Sequence, residues 1–508
     1  MFGAIYSWLF PPRTGDAREA GLYPSGAPPG AKVAIVGAGV GGCCAASFLR
    51  ELGGDALEIH VYSVGPVGGR TATVQVDGHL YETGGSMIHK TNKYLADMTK
   101  KYGLQTQQSK NDPTTPLGVF DGTKLVLHTG TCGVWNTVKI LLRYGFSLLS
   151  MMLCVKATLK RFSEIYRLQS EGRSFATVPD MLRAMGGDGI MYQNTQVSAG
   201  EFCAQQGWST KMVNELIVGG LRNNYGQGES VNAFTMLVSM AGAQNGSLWK
   251  VVGGNKQIPI NALQNSGATF HNARVNQITR KVYSNSRVGY ILDYKEEDGA
   301  LPLTKEVDVV IIAFPLNSPD PHGAIVPPVQ FEGFPIPVYT PPTRTPYHNT
   351  VATFVRGEIN PLLFGCKGLG NSFPLCVFTT DHHGGVVDFN SVQIQVPCDV
   401  TDKEVAGFLK PLTQEPVRLW KVFTSNHPLT EGQKKAMFKS HDPSVDVAVN
   451  WMAYPQYDPP EEFPPFVLDD GVFYVNAVEM AASAMEMSAI GAKNAALLAM
   501  EHLVKKSH

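Results

Sequence analysis

Six consecutive residues carry the first chemistry legible in this chain: Gly37-Ala38-Gly39-Val40-Gly41-Gly42. They follow Val33-Ala34-Ile35-Val36, an apolar run that opens at Lys32 and reads as a buried parallel strand, and they lead into a helical pattern from Cys43 to Leu52. Glycines at this spacing suit a pyrophosphate. Gly37 makes the tight turn, Gly39 lets the backbone approach the phosphates, Gly41 lies in the same turn, and Gly42 lets helix and strand pack closely. The helix N-terminus then offers its free N–H groups and positive dipole end to the anion. A merely tight turn is the bland alternative, and the strand–turn–helix setting disfavours it. A second strand, Leu57 to Tyr62, completes a βαβ unit of about thirty residues. Such a strand ordinarily ends in Asp or Glu, which grips the adenosine ribose hydroxyls. Here Ser63 stands at that place and Glu58 lies too early. Serine bonds one hydroxyl but lacks a charge-assisted grip.

Two further glycine turns follow, Val67-Gly68-Gly69-Arg70-Thr71-Ala72 and Glu82-Thr83-Gly84-Gly85-Ser86, flanking an alternating strand from Thr73 to Tyr81. Paired Gly-Gly turns let backbone pass close to a large flat ligand, although an ordinary glycine hairpin shares the pattern. Near the other end, a strand from Val472 to Val475 runs into an Ala- and Met-rich helix, roughly Ala482 to Val504. That helix aims its first N–H groups, with Ala482 and Ser483 beginning it, at whatever lies over the turn. Its alanines suit packing against a flat ring. His89, Glu479 and Glu486 are the titratable residues in these stretches, and each also fits a purely structural role. His382-His383 reads as a solvated loop, and no metal site is expected.

The elements that must position these residues come in separated blocks. Helical patterns run from Trp135 to Gln169 and on through Leu221; strand-like alternation returns at Phe270 to Tyr294; Val307 to Pro315 reads as another buried strand. Residues 317–347 are rich in proline and read as loops, and a mixed region reaches about Phe466. The fold class is therefore α/β: a discontinuous Rossmann-like nucleotide domain from residues 32–95, 247–316 and 467–508, and a mixed α+β substrate domain from 96–246 and 317–466, after a loose leader at 1–31.

With 508 residues, 44% hydrophobic and 17% charged, the chain can bury a large core. Lys+Arg 42 against Asp+Glu 43 leaves a net charge of -1, which disfavours a nucleic-acid partner. Eight cysteines without a C-x-x-C do not make a disulfide scaffold; buried free thiols fit better, with Cys366, Cys376 and Cys398 able to pair only in an oxidising compartment. Phe2 to Phe10 is apolar but has no basic residues before it and ends at Pro11-Pro12, which suits peripheral membrane contact better than a signal. The stretch Tyr144 to Val155 is too short to span a bilayer, and Asn245-Gly246-Ser247 is a lone sequon. The Met, Leu and Phe content from Trp135 to Phe162 reads as core, or as the lining of an apolar cavity.

The glycine turns together resemble the flavin amine-oxidase and phytoene-desaturase type of flavoprotein. Gly253-Gly254-Asn255 with Ala262-Leu263, Val275 within NARVNQI, and Asp308 to Pro315 agree with it. More narrowly, from Lys32 to Leu503 the chain resembles the prenylcysteine oxidase (prenylcysteine lyase) family. The most specific stretches are YETGGSMIH (81–89), RYGFSLL (143–149), NNYGQ (223–227), GSLWKVVGGNK (246–256) and VNAVEMAASAMEMSAIGAKNAALLA (475–499). The family has a carboxylate where this chain has Ser63, and its animal members carry a secretory signal not evident here. The resemblance implies FAD, held by Gly37, Gly39, Gly41, Gly42, Ser63, Gly68, Gly69, Arg70, Gly84, Gly85 and Ser86. It also brings Val275 to the adenine by its backbone, and Glu479 and Ser483 to the flavin. It implies oxidation of farnesyl- or geranylgeranyl-cysteine by oxygen, with Glu479 and His89 as candidates for assisting water. The family's lysosomal address becomes, without that signal, a cytoplasmic or peripheral-membrane one. Rival readings are an amine oxidase or isoprenoid desaturase on the same fold, or a prenyl-lipid carrier without turnover, which Ser63 favours.

Overall fold

The structure, a computed structural model, describes residues 27–108, 116–130, 132–242, 248–299, 301–316, 329–335, 338, 347–370, 373–380 and 387–506. Residues 2–10, the Asn245 sequon and His382-His383 lie outside them.

Lys32–Val36 runs through the middle of the largest sheet, parallel to Glu58–Ser63 on one side and Val309–Ile312 on the other. Thr269–Val282 adds in parallel beyond Glu58–Ser63, and Val472–Tyr474 beyond Val309–Ile312. One sheet thus draws its parallel strands from three distant parts of the chain. Val33–Val36 and Val309–Ile312 are buried throughout, which is why their sequences are unbroken apolar runs rather than alternating ones. The helices Val40–Gly53 and Met485–Lys505 pack against each other beside this sheet. Their contact is close because it is lined by small residues: Ala489, Ala492, Ala495, Ala496 and Ala499 are all fully buried. At Gly491 a Cβ would stand 2.5 Å from the Val475 carbonyl oxygen. The alanine run therefore serves helix packing within the protein, not only the flat ring anticipated from sequence.

The second sheet has seven strands in the order Phe438–Pro455, Tyr347–Ile359, Val417–Ser425, Ser391–Ile394, Cys376–Thr379, Leu117–Phe120 and Leu125–His128. It is antiparallel except where Cys376–Thr379 meets Leu117–Phe120. Helices between Gly133 and Ala241 build their own apolar cluster, including Met212, Ile217, Leu221 and Met236. Gln330–Glu332, inside the proline-rich stretch read as loop, joins the large sheet beside Gln277–Thr279. All eight cysteines are free thiols, with Cys43, Cys44, Cys203 and Cys398 buried and Cys132 exposed.

Gly133–Phe162 departs most from its sequence reading. It is one 30-residue element, broken in geometry only at Gly145 (φ 55°), and with the next helix it forms a helical run, Gly133–Ser170, long and apolar enough by length and composition to cross a membrane. The stretch from Tyr144 to Val155 had looked too short only because the helix extends well before it. One face, through Asn136, Tyr144, Met151, Val155 and Thr158, is buried on the helical cluster. The opposite face is neither core nor cavity lining: Trp135, Leu142, Phe146 and Leu153 point outward, with Phe146 89% exposed.

Candidate cofactor and active site

The first glycine turn closes as its spacing demands. Gly37 sits at φ 108°, where a side chain is strained, and a Cβ on Gly42 would lie 1.9 Å from the Gly37 carbonyl oxygen. Gly39 differs: a Cβ there would meet nothing within 4 Å. Its surroundings are open at the N-terminus of Val40–Gly53, where the helix N–H groups emerge. Gly68 bridges to Gly39, its N–H donating to the Ala38 carbonyl at 2.9 Å. A Cβ on Gly69 would lie 3.2 Å from the Gly39 Cα, so the first and second turns form one wall.

The third turn is stitched to the second. The Gly85 N–H donates to the Arg70 carbonyl at 3.0 Å, and a Cβ on Gly84 would lie 1.9 Å from that oxygen. Between the two turns lies a hairpin, Thr73–Val76 with His79–Glu82, rather than one strand. Asp77 and Gly78, both at positive φ, make its turn, and the Asp-Gly pair was a readable signal for it. Gly85 also abuts Met485, the first residue of the C-terminal helix. That helix begins at Met485, not Ala482, because Val475–Met480 forms a tight 3₁₀ turn and residues 481–484 bridge to it. Ser86 is half-buried beside this junction, and the Asn255 side chain donates to the Gly85 carbonyl at 2.9 Å. Gly41 lies deeper, against Val475.

Residues 479–484 are held from several sides. Tyr457 accepts from the Ser483 N–H at 2.7 Å and donates to the Glu479 carbonyl at 3.3 Å. Tyr225 donates to the Ser483 carbonyl at 3.2 Å, and Thr235 to the Ala481 carbonyl at 2.9 Å. The Glu479 carboxylate, almost fully buried, is paired with Arg70 through Oε1 and accepts from Tyr347 through Oε2 at 2.5 Å. Arg70 also donates to the Ala453 carbonyl at 2.8 Å. Burial alone would lower the Arg70 pKa, but Glu479 and Tyr347 together hold it above its ordinary value.

His89 is buried, and burial with Lys90 lowers its pKa to about 4. Its Nδ1 accepts from the Thr91 N–H at 3.3 Å and lies 2.7 Å from the Thr91 hydroxyl. The neutral ring therefore carries its proton on Nε2, which has no partner among the described residues. Glu486 has a structural post: it accepts from the Tyr94 and Leu95 N–H groups at 2.8 and 3.1 Å, capping Lys93–Lys101, and from the Tyr166 hydroxyl at 2.8 Å. Burial pushes its pKa to about 7 despite those bonds. Glu82 is pushed to about 7 for the same reason; it accepts from the Asn255 N–H at 2.6 Å, and its sequence signal, a Glu before the glycine pair, was not read.

Ser63 closes its strand half-buried, opposite Asn272. The Asn272 side chain donates to Glu297 at 3.3 Å, so a carboxylate does stand one strand away. Thr269–Val282 pairs with Glu58–Ser63 only as far as Asn272, and with Gln330–Glu332 only from Gln277. On that edge residues 273–276 have no strand partner among the described residues, and buried Val275 lies within the gap, just past Ser63. The structure thus links Gly39, Gly68, Gly69, Arg70, Gly84, Gly85 and the Met485 helix start in one continuous chain of contacts. It adds Tyr347 and Tyr457, which no local pattern marks, and Tyr225, which stands in the quoted NNYGQ stretch without a role assigned to it.

The fold and this cradle define a Rossmann-type dinucleotide-binding protein with an added antiparallel sheet. Residues 35–102 match the NAD(P)-binding Rossmann-like domain, and residues 127–508 match prenylcysteine lyase. Prenylcysteine oxidase 1 of Bos taurus is 35% identical over 96% of this chain and 92% of that protein; its Homo sapiens counterpart is 36% identical over 93% and 89%. Among solved structures, putrescine oxidase bound to putrescine superposes with TM-score 0.55 at 15% identity, covering 92% of this chain and 99% of that one. Cyclohexylamine oxidase from Brevibacterium oxydans gives 0.55 at 15%, covering 94% and 100%. These two show the fold. The chain belongs to the prenylcysteine lyase family.

Proposed function

We propose that the chain is an FAD-dependent oxidase that cleaves the thioether of farnesyl- or geranylgeranyl-cysteine. Water and oxygen are consumed; free cysteine, an isoprenoid aldehyde and hydrogen peroxide leave. Family membership supports the substrate, and one observation carries the cofactor: the open space over Gly39, walled by Gly68-Gly69 and faced by a helix N-terminus, fits a pyrophosphate. Bound flavin supplies a two-electron acceptor for hydride from the prenyl carbon next to sulfur, and oxygen reclaims the electrons.

The protein's own part is binding, alignment and exclusion of water. Gly37, Gly41 and Gly42 shape the turn that would take the phosphates; Ser63 and the Val275 edge would receive the adenosine end, and Gly84, Gly85, Ser86 and the 483–485 junction would hold the ring. With both carboxylate oxygens engaged, Glu479 acts as a positioning residue for Arg70. His89, whose Nδ1 accepts from the Thr91 N–H, is poorly suited to take a proton but can donate through Nε2. That suffices, because the oxidised carbon is a strong electrophile and the adduct proton can leave to solvent. The hydrated carbon then collapses, breaking C–S and returning the proton to sulfur.

Anaerobic farnesylcysteine added to FAD-loaded protein should bleach the oxidised flavin band. Air should restore it with release of peroxide, aldehyde and thiol. Bleaching by amines instead would favour an amine oxidase, isoprenoid consumed without thiol a desaturase, and colourless protein that binds prenylcysteine even after FAD is added a carrier. Flavin left unreduced by both prenylcysteines overturns the reading.

A lipid surface is the proposed peripheral partner, and the outward face of Gly133–Phe162 supports it better than residues 2–10. Its stripe of Trp135, Leu142, Phe146 and Leu153 continues into exposed Lys156 and Lys160, and the helix contains no acidic residue. Apolar stripe and lysines match an anionic interface, while the buried opposite face keeps the helix on the protein rather than across a bilayer. Phe146→Glu should abolish flotation with phosphatidylserine vesicles; flotation equal to wild type would return the contact to another segment.

A further inference from the structure

Three side chains at the margin of the seven-stranded sheet have no place in the chemistry above. Glu431 begins the helix Glu431–Met437, and His441 and Asp446 lie on the edge strand Phe438–Pro455. Their ligand atoms all lie within 4.8 Å of one another. Lys434 takes one oxygen of each carboxylate, donating to Glu431 Oε1 at 2.7 Å and Asp446 Oδ2 at 2.6 Å. The remaining atoms are left facing each other. The His441 side chain is 9% exposed, its Nε2 has no hydrogen-bond partner, and it stands 3.4 Å from Glu431 Oε2. Asp446 Oδ1 is likewise buried without a partner. The imidazole nitrogen and the two carboxylates converge on one point, with the Lys434 ammonium bonded to both carboxylates. Buried polar atoms left without a partner are destabilising, so the cluster calls for a cation.

We propose that Glu431, His441 and Asp446 form a zinc site. One nitrogen and two carboxylate oxygens are a borderline donor set, which suits zinc; calcium and magnesium favour oxygen alone. Bonds of about 2.0–2.1 Å in a tetrahedron set ligand atoms about 3.3 Å apart, and the His441–Glu431 spacing already stands near that value. Glu431 is mostly exposed and can swing to complete the set, with water in the fourth position. Lys434 need not move, since it holds the other oxygens. The zinc would pin the Glu431–Met437 helix to the edge strand. It stands apart from the cradle: His441 pairs with Gly357 and Met452 with Asn349 on the neighbouring strand, so about eight residues of strand, roughly 27 Å, separate His441 from the neighbourhood of Ala453, which meets Arg70.

Holoprotein stripped with chelator and titrated calorimetrically with zinc sulfate should take up one equivalent and melt at higher temperature. His441→Ala and Asp446→Asn should each weaken uptake at least tenfold while far-ultraviolet circular dichroism and flavin content stay at wild type, which separates site loss from misfolding. No saturable uptake, or uptake unchanged in both variants, overturns the site. So does protein that ignores zinc while His441 titrates above pH 7 by NMR, because a proton is then the cation.

Discussion

The two walls of the cradle are built from different material. On one side stand Gly37 to Gly42, Gly68-Gly69 and Gly84-Gly85, where what matters is missing side chains and backbone in tight contact. On the other stand Arg70, Glu479, Tyr347, Tyr225 and Tyr457, where side chains far apart in sequence interlock. A wall of absent side chains tolerates almost no substitution, because a Cβ arrives where a ligand or carbonyl must be. A wall of interlocking side chains fails in increments, one bond at a time.

The largest test of this contrast is Gly39→Val. The added side chain enters the open space and should leave purified protein without flavin, read from its absorbance; a wild-type flavin complement would remove the phosphate from this wall. Glu479→Leu strands Arg70 and Tyr347 without a partner. Because Arg70 is partly exposed, the loss should fall near the low end of the 3–5 kcal/mol typical of broken buried pairs, read by denaturant unfolding, with flavin still bound. Equal damage from Gly39→Val and Glu479→Leu in both flavin content and stability would erase the distinction.

Glu486 lies outside both walls, behind them at the cap of Lys93–Lys101, and gives a background stability test through pH. Its folded pKa of about 7 exceeds the ordinary 4.5, so the folded state keeps a proton that the unfolded chain releases. The contribution is full below pH 4.5 and is lost as pH rises through 7, on the order of 3 kcal/mol. Glu82 and Glu461 are pushed to about 7 as well, while His60, His89 and His502, held down to about 4 by burial, contribute in the opposite direction, so Glu486→Gln should turn the net slope of stability with pH more positive between 4.5 and 7. An unchanged pH slope would place the titration elsewhere. The smallest effect expected is a gain: Ser63→Glu should tighten FAD binding by about 1–3 kcal/mol in a titration of apoprotein. Unchanged affinity would mean that the ribose is held elsewhere, with Glu297 beside Asn272 the nearest carboxylate to examine.

The backbone wall was legible in the sequence because glycine spacing after an apolar run has few other uses. Parallel strands buried on both faces also announced themselves as unbroken runs. The tyrosines were silent: Tyr347 reaches Glu479 across 132 positions, and no periodicity encodes such a meeting. The Gly133–Phe162 helix misled for another reason. Two apolar faces look like one buried helix in composition, and only packing shows that one of them has no protein beside it. The start of the last helix was misplaced because alanines favour a helix from 481 onward, whereas the Tyr225, Tyr457 and Thr235 bonds hold those residues in an irregular bridge.

The central sheet also dictates when the protein can mature on the ribosome. Lys32–Val36 and Glu58–Ser63 emerge first, yet Val309–Ile312 comes some 250 residues later, and its outer neighbour Val472–Tyr474 some 160 residues after that. Until then one edge of a wholly apolar strand has no mate. The nascent chain must wait in a half-finished, adhesive state, shielded by chaperones. Nonsense or frameshift changes that remove Val472–Tyr474 should accordingly send the product to aggregation or proteolysis, and not merely yield a slower enzyme.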